Sequence, residues 1–278
     1  MPDLLVFVIA AVVLVALVVI VRRRRSRARG KLRRQSFPAS WRDILKRTFP
    51  LYHCLSDRER ERLHGHIQVF LAEKNFEGCG GLEMTDEIRL TIAGQACLLL
   101  LNLEEADYYS RLRSILVYPS TVRPVYTERH NSGTLPPARE PILGQSWGHG
   151  TVILSWDNVQ SSAFTADDGR NVVFHEFAHQ LDQEDGEADG TPYLESASAL
   201  RAWGEIMLEH YTALHEAVEE GRPTFLDEYG ALNQAEFFAV ATEFFFERPV
   251  ELKRKHPELY ARLSGYYRQD PAAWHDSN

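Results

Sequence analysis

The sequence predicts an α+β fold in which one transmembrane helix precedes a helical N-terminal part, followed by a part where short strands lead into a histidine-bearing helix. Three observations predict this. Leu4 to Val21 reads LLVFVIAAVVLVALVVIV without a charge; residues 41 to 74 alternate apolar and charged side chains at helical spacing; and TVILSW (Thr151 to Trp156) precedes HEFAH (His175 to His179). The 278 residues are 44% hydrophobic, 11% aromatic and 25% charged, the make-up of an ordered globular chain. Cys54, Cys79 and Cys97 are odd in number and show no CxxC spacing, which excludes a disulfide framework and a thiolate metal site and fits a reducing compartment.

The elements follow in chain order. An 18-residue helix from Leu4 to Val21 spans about 27 Å, enough to cross a bilayer. Nine basic residues follow between Arg22 and Arg34, which predicts a cytoplasmic side for everything downstream. Residues 1–21 are therefore expected as a single-pass anchor in the inner (cytoplasmic) membrane and 22–35 as a basic juxtamembrane linker. Residues 36–278 are expected as one cytoplasmic catalytic region, helical over about 36–112 and catalytic over about 113–278. Without the tail, 22 basic residues face 38 acidic ones, about −16, a charge that would repel a polyanion, so no direct nucleic-acid partner is expected.

Ser56 is placed to cap a helix beginning DRERERL, and His64 and His66, two apart, fall on different helix faces. Glu87 to Leu103 reads as a buried helix, Ser114 to Ser120 as a strand, and Thr121 to Gly150, rich in Pro, Gly, Ser and Asn, as loop or hairpin. Thr151 to Trp156 is the clearest strand, with Asp157, Asn158 and Ser161 marking its exit into a short loop. That strand is the expected edge along which an extended peptide would lie.

On a helix, His175 and His179 are four apart and present two imidazoles to one ion, while Glu176 sits beside the open position and can act as a base toward a metal-activated water. A third ligand must come from elsewhere. Asp185 follows the second histidine by six residues; Glu236 and Glu243 lie seven apart on one face of an apolar helical segment, where an unpaired carboxylate is costly.

ILVYP (115–119), GQSW (144–147), VILSW (152–156), HEFAHQLD (175–182), and Tyr229 with QAEFFAV from Gln234 together resemble the Mlc titration factor A-like zinc metallopeptidases, over about Phe37 to Pro271. The resemblance implies a zincin-like domain holding one zinc ion (Zn2+) through His175, His179 and Glu236, with Glu176 as base and Tyr229 steadying the oxyanion. Glu243 and Asp182 are expected to orient a ligand imidazole. The expectation is a zinc peptidase acting on a peptide or protein substrate, an aminopeptidase among the possibilities. The rival is a binding protein that sequesters a transcriptional repressor, the family's namesake interaction, with its zinc structural or vestigial.

Overall fold

The computed structural model describes the backbone of residues 2–103, 107–120, 144–147, 150–164 and 169–275, and their side chains except at 2–12, 18, 144–147, 164 and 275. Apart from 144–147 and Gly150, the loop expected over 121 to 150 lies outside these residues.

The first helix, α1 (Pro2–Arg33), takes the predicted anchor and the basic run into one continuous element. Among the described residues no helix is long and apolar enough to cross a membrane, which overturns the single-pass anchor, the membrane partner and the inner-membrane placement. The basic half is also not a free linker. Arg29 is buried against the domain, its guanidinium donating to both Glu73 carboxylate oxygens at 2.7 and 2.9 Å and to Asp107 Oδ1 at 3.0 Å. Arg25 joins the same carboxylates.

Helices α2 (Ala39–Thr48), α3 (Leu51–Cys54) and α4 (Asp57–Glu73) fill the stretch predicted helical. Ser56 caps α4 in a full capping box with Glu59, whose carboxylate accepts from the Ser56 N–H at 2.8 Å. His64 and His66 are both buried; His64 pairs with the Tyr52 hydroxyl and His66 with that of Tyr108, each at 2.8 Å. Helix α5 (Asp86–Leu99) is the buried helix expected there, capped by Thr85 and ending short of Leu103.

Among the described residues, four short strands form one sheet in the order β1-β2-β4-β3. β1 (Asn75–Gly78), β2 (Ser114–Tyr118) and β4 (Thr151–Ser155) run parallel, and β3 (Gly144–Trp147) pairs antiparallel with β4. Thr151 to Ser155 is therefore an inner strand, bonded on both sides, and β3 takes the edge that the sequence assigned to it. The expected short loop after β4 is instead a helix, α6 (Trp156–Phe164), because Trp156 and Val159 turn their apolar side chains back onto the core at helical spacing.

The remaining elements of the described residues are helical: α7 (Val172–Asp182), α8 (Ala197–Glu219), a 3-10 turn (Glu228–Ala231), α9 (Gln234–Glu247), α10 (Pro249–Lys255), α11 (Pro257–Tyr267) and α12 (Pro271–His275). The result is a mixed, helix-rich domain with a small, mainly parallel sheet. Its core is strongly aromatic, with Phe70, Tyr109 and Phe177 in mutual ring contact between α4, the chain before β2, and α7. α7 and α9 pack against each other through Phe174 and Phe246, with ring centroids 5.1 Å apart, so two helices far apart in sequence share a face.

Candidate metal centre

α7 begins where Asn171 caps it, its side-chain oxygen accepting from the N–H groups of Val173 and Phe174 at 3.1 and 3.0 Å. Val173, Phe174, Phe177, Ala178 and Leu181 are buried, so the rotation of the helix is fixed and His175 and His179 emerge together on its other side. α9 is built likewise. Asn233 caps it through the Glu236 N–H at 2.9 Å, and a nearly continuous run of buried Phe, Ala and Val seats it beside α7.

Glu236 in the first turn of α9 then meets the two histidines. Its Oε2 lies 3.0 Å from His175 Nε2 and 3.2 Å from His179 Nε2, and the two Nε2 atoms are 3.2 Å apart. Among the described residues these three form the group of His, Cys, Asp and Glu side chains that could hold a metal ion. Tetrahedral ligands at about 2.0–2.1 Å from zinc stand roughly 3.3–3.4 Å apart, so the triangle is close to the size that ion needs.

The donor set also fits a cation. His175 Nδ1 faces Glu243 Oε1 at 2.8 Å, which assigns the ring proton to Nδ1 and leaves the Nε2 lone pair aimed into the triangle. Three electron-rich atoms at such distances need positive charge among them. In its absence a proton serves: burial acts to lower the His175 pKa, but Glu243 and Glu236 outweigh it and raise the imidazole well above its usual range. Burial likewise opposes ionisation of Glu236, but the bonds from His175 and His179 bring that carboxyl down to about 2.

Glu176, one step round α7, is only 3% exposed, and among the described residues its buried Oε2 has no hydrogen-bond partner. Burial pushes its carboxyl up to about 7. Tyr229 sits in the 3-10 turn, where Asp227 Oδ1 accepts its N–H at 3.0 Å; its ring centroid lies 5.8 Å from that of His175 and the residue is partly open to solvent. Arg170, just before α7, pairs with Asp227 at 2.7 Å and so ties the start of the histidine helix to the Tyr229 turn.

The other acidic candidates are placed elsewhere. Asp185 is exposed, its Oδ1 accepting the Glu187 N–H at 3.0 Å within a local turn. Asp182 is fully buried behind the site; its carboxyl is pushed up to about 6 by burial and accepts the Thr191 N–H at 2.7 Å. Glu243 stands behind His175 and receives the Asn171 N–H on its other oxygen at 2.5 Å.

Sequence reasoning missed Asn171, Gln95 and Glu247, which are buried together: the Asn171 side-chain amide donates to Gln95 Oε1 at 2.7 Å and to Glu247 Oε1 at 2.8 Å. An Asn before VVFHE is a legible cap signal. A glutamine inside the apolar run LTIAGQACLLLL is a further one, since such a group must find a partner.

The family described as glucose-regulated metallo-peptidase M90 matches residues 21–268. An uncharacterized protein of Synechocystis is 40% identical over 242 residues, 87% of this chain and 88% of its own. Mlc titration factor A of Escherichia coli O7:K1 is 30% identical over 234 residues, 83% of this chain and 86% of its own. That of Serratia proteamaculans is 32% identical over 245 residues, 84% and 88% respectively. A metal is implied by the family's description, and with a match over most of its length the chain belongs to the glucose-regulated metallo-peptidase M90 family.

Proposed function

We propose that this chain is a zinc-dependent peptidase of the zincin-like type, with His175, His179 and Glu236 as the residues that would hold zinc. The observation that carries the reading is the convergence of three candidate ligand atoms from α7 and α9 near Glu176, whose buried Oε2 has no hydrogen-bond partner among the described residues. Bound zinc would act as a Lewis acid toward a peptide carbonyl and acidify a water. Glu176 accepts the proton from that water and passes it to the leaving amine; burial, which favours its neutral form, makes it a carboxylate able to do both near neutral pH. Tyr229, alongside His175, is the residue proposed to donate its phenol hydrogen to the developing oxyanion.

Edge strand β3, packed near α7, is the element on which an extended peptide would add as a further strand. The helical part is assigned to about 36–112 and the catalytic part to about 113–278, although β1 from the former completes the sheet of the latter.

The direct test compares Glu176→Gln and Tyr229→Phe with the wild type. Glu176→Gln should keep about one zinc per chain and lose peptide hydrolysis by a factor of 10² or more; full activity in that variant removes the mechanism. Tyr229→Phe should keep its zinc and lose kcat by about 10²-fold. Substrates with free and blocked amino termini separate aminopeptidase from internal cleavage. The second reading, sequestration of a transcriptional repressor, is favoured by the name Mlc titration factor A carried by two of the relatives. Undiminished regulatory function of Glu176→Gln in cells would favour it over peptidase action.

A further inference from the structure

The first turn of α7 is held from behind by α9. One Glu243 oxygen accepts the Asn171 N–H at 2.5 Å and the other the His175 Nδ1–H at 2.8 Å, so a single carboxylate spans the cap residue and the imidazole four positions later. Asn171 and His175 are joined a second time by the first bond of the helix, His175 N–H to Asn171 O at 2.9 Å. The direction of the Asn171 N–H thus decides where Glu243 sits, and Glu243 decides how the imidazole is turned.

What fixes Asn171 is its side chain. The amide oxygen caps α7, while the amide hydrogens reach Gln95 on α5 and Glu247 on α9, one turn beyond Glu243. Gln95 is anchored in its own helix, its Nε2 donating to Thr91 O at 3.1 Å. Asn171, Gln95, Glu243 and Glu247 are each at most 6% exposed. An amide alone would cap the helix just as well from a surface position. Burying it between two carboxylates and a glutamine costs desolvation that its hydrogen bonds to Gln95, Glu247 and the first turn of α7 offset.

We propose that Asn171, braced by Gln95 and Glu247, is a positioning residue for the metal centre: it locks Glu243, and through Glu243 the orientation and basicity of the His175 imidazole. This inference rests on the reading of His175 as a metal ligand. It assigns α5, which supplies none of the three ligand atoms, a part in setting metal affinity.

The test uses the full chain and zinc itself, with affinity read by competition against a chromogenic chelator and ligand geometry by the visible spectrum of the cobalt-loaded protein. Asn171→Ser keeps a capping oxygen but loses both amide donors, and Gln95→Leu removes the brace from α5 without touching α7. Both should bind zinc about 10- to 100-fold more weakly and shift the cobalt bands. Ser196→Ala removes the cap of α8, a purely structural loss, and should lower the melting temperature with wild-type zinc affinity and spectrum. His175→Ala calibrates the underlying reading: if it binds zinc as the wild type does, the metal site itself is misassigned. If His175→Ala loses zinc while Gln95→Leu, and Asn171→Ser wherever it folds, keep wild-type affinity and spectrum, the positioning role is overturned and the ligand assignment stands.

Discussion

Glu236 Oε2 stands 3.0 Å from His175 Nε2, although the two residues are 61 positions apart and belong to different helices. The contact exists because α7 and α9 pack face to face, and it makes metal content the sharpest readout of the site.

Glu236→Ala should reduce zinc from about one per chain to a small fraction, because two imidazoles alone bind the ion weakly. Asp185→Ala should leave it unchanged, since Asp185 spends its carboxylate on the Glu187 N–H. Metal analysis after dialysis against chelator-free buffer checks both, and zinc lost in the second but not the first reverses the assignment.

Zinc affinity should rise with pH. In the metal-free protein the raised His175 pKa gives stability that is full below the usual 6.5 and is lost as pH rises through the raised value. Glu236, depressed from 4.5 to about 2, gives stability present above 4.5 and lost only as pH falls through about 2. Between these limits a proton occupies the cluster, and zinc must displace it. Apparent affinity should therefore fall as pH is lowered from 8 to 6, with protons released on zinc binding in calorimetry across buffers of different ionisation heat. A flat profile would contradict the shared-proton picture.

Gly190 at φ +81° presses on the start of α9: a β-carbon there would come within 2.3 Å of the Gln234 carbonyl oxygen. Its own carbonyl accepts the Trp203 indole N–H at 3.1 Å. Gly190→Ala should cost on the order of 2–3 kcal/mol in denaturant unfolding, from backbone strain and displacement of the α9 N-terminus. Because that terminus carries Glu236, zinc affinity should drop as well.

The basic run after the apolar stretch is a latch for α1. Arg29 donates to Glu73 and Asp107 and stacks over the Tyr108 ring at 4.7 Å. Arg29→Met should cost on the order of 2 kcal/mol, because Glu73 and Asp107 lose their main cation. Arg27→Met, at an exposed position on the same helix, should change stability by less than about 0.5 kcal/mol. Thermal unfolding of the two variants side by side decides it.

Much of the site was legible because it is local. The four-residue spacing of His175 and His179, the apolar positions that orient α7, and the seven-residue spacing of Glu236 and Glu243 follow from helical periodicity, and Ser56 and its capping box from short-range hydrogen bonding. The family resemblance narrowed the expected third ligand to Glu236. What needed the tertiary structure was every relation between distant elements. Glu236 and Glu243 share a face in sequence, yet packing sends one to His175 Nε2 and the other to Nδ1, a distinction no periodicity contains. Pairing of β3 on β4 decided which strand is the edge, because backbone hydrogen bonding depends on register across a gap in the chain. Ion pairs to Glu73 and Asp107 turned a supposed linker into part of a helix docked on the domain, and among the described residues no helix is long and apolar enough to be the anchor read from composition. Asn171 and Gln95, 76 residues apart, meet only because α5 and α7 are buried against each other, where an amide must find partners or pay its full desolvation cost.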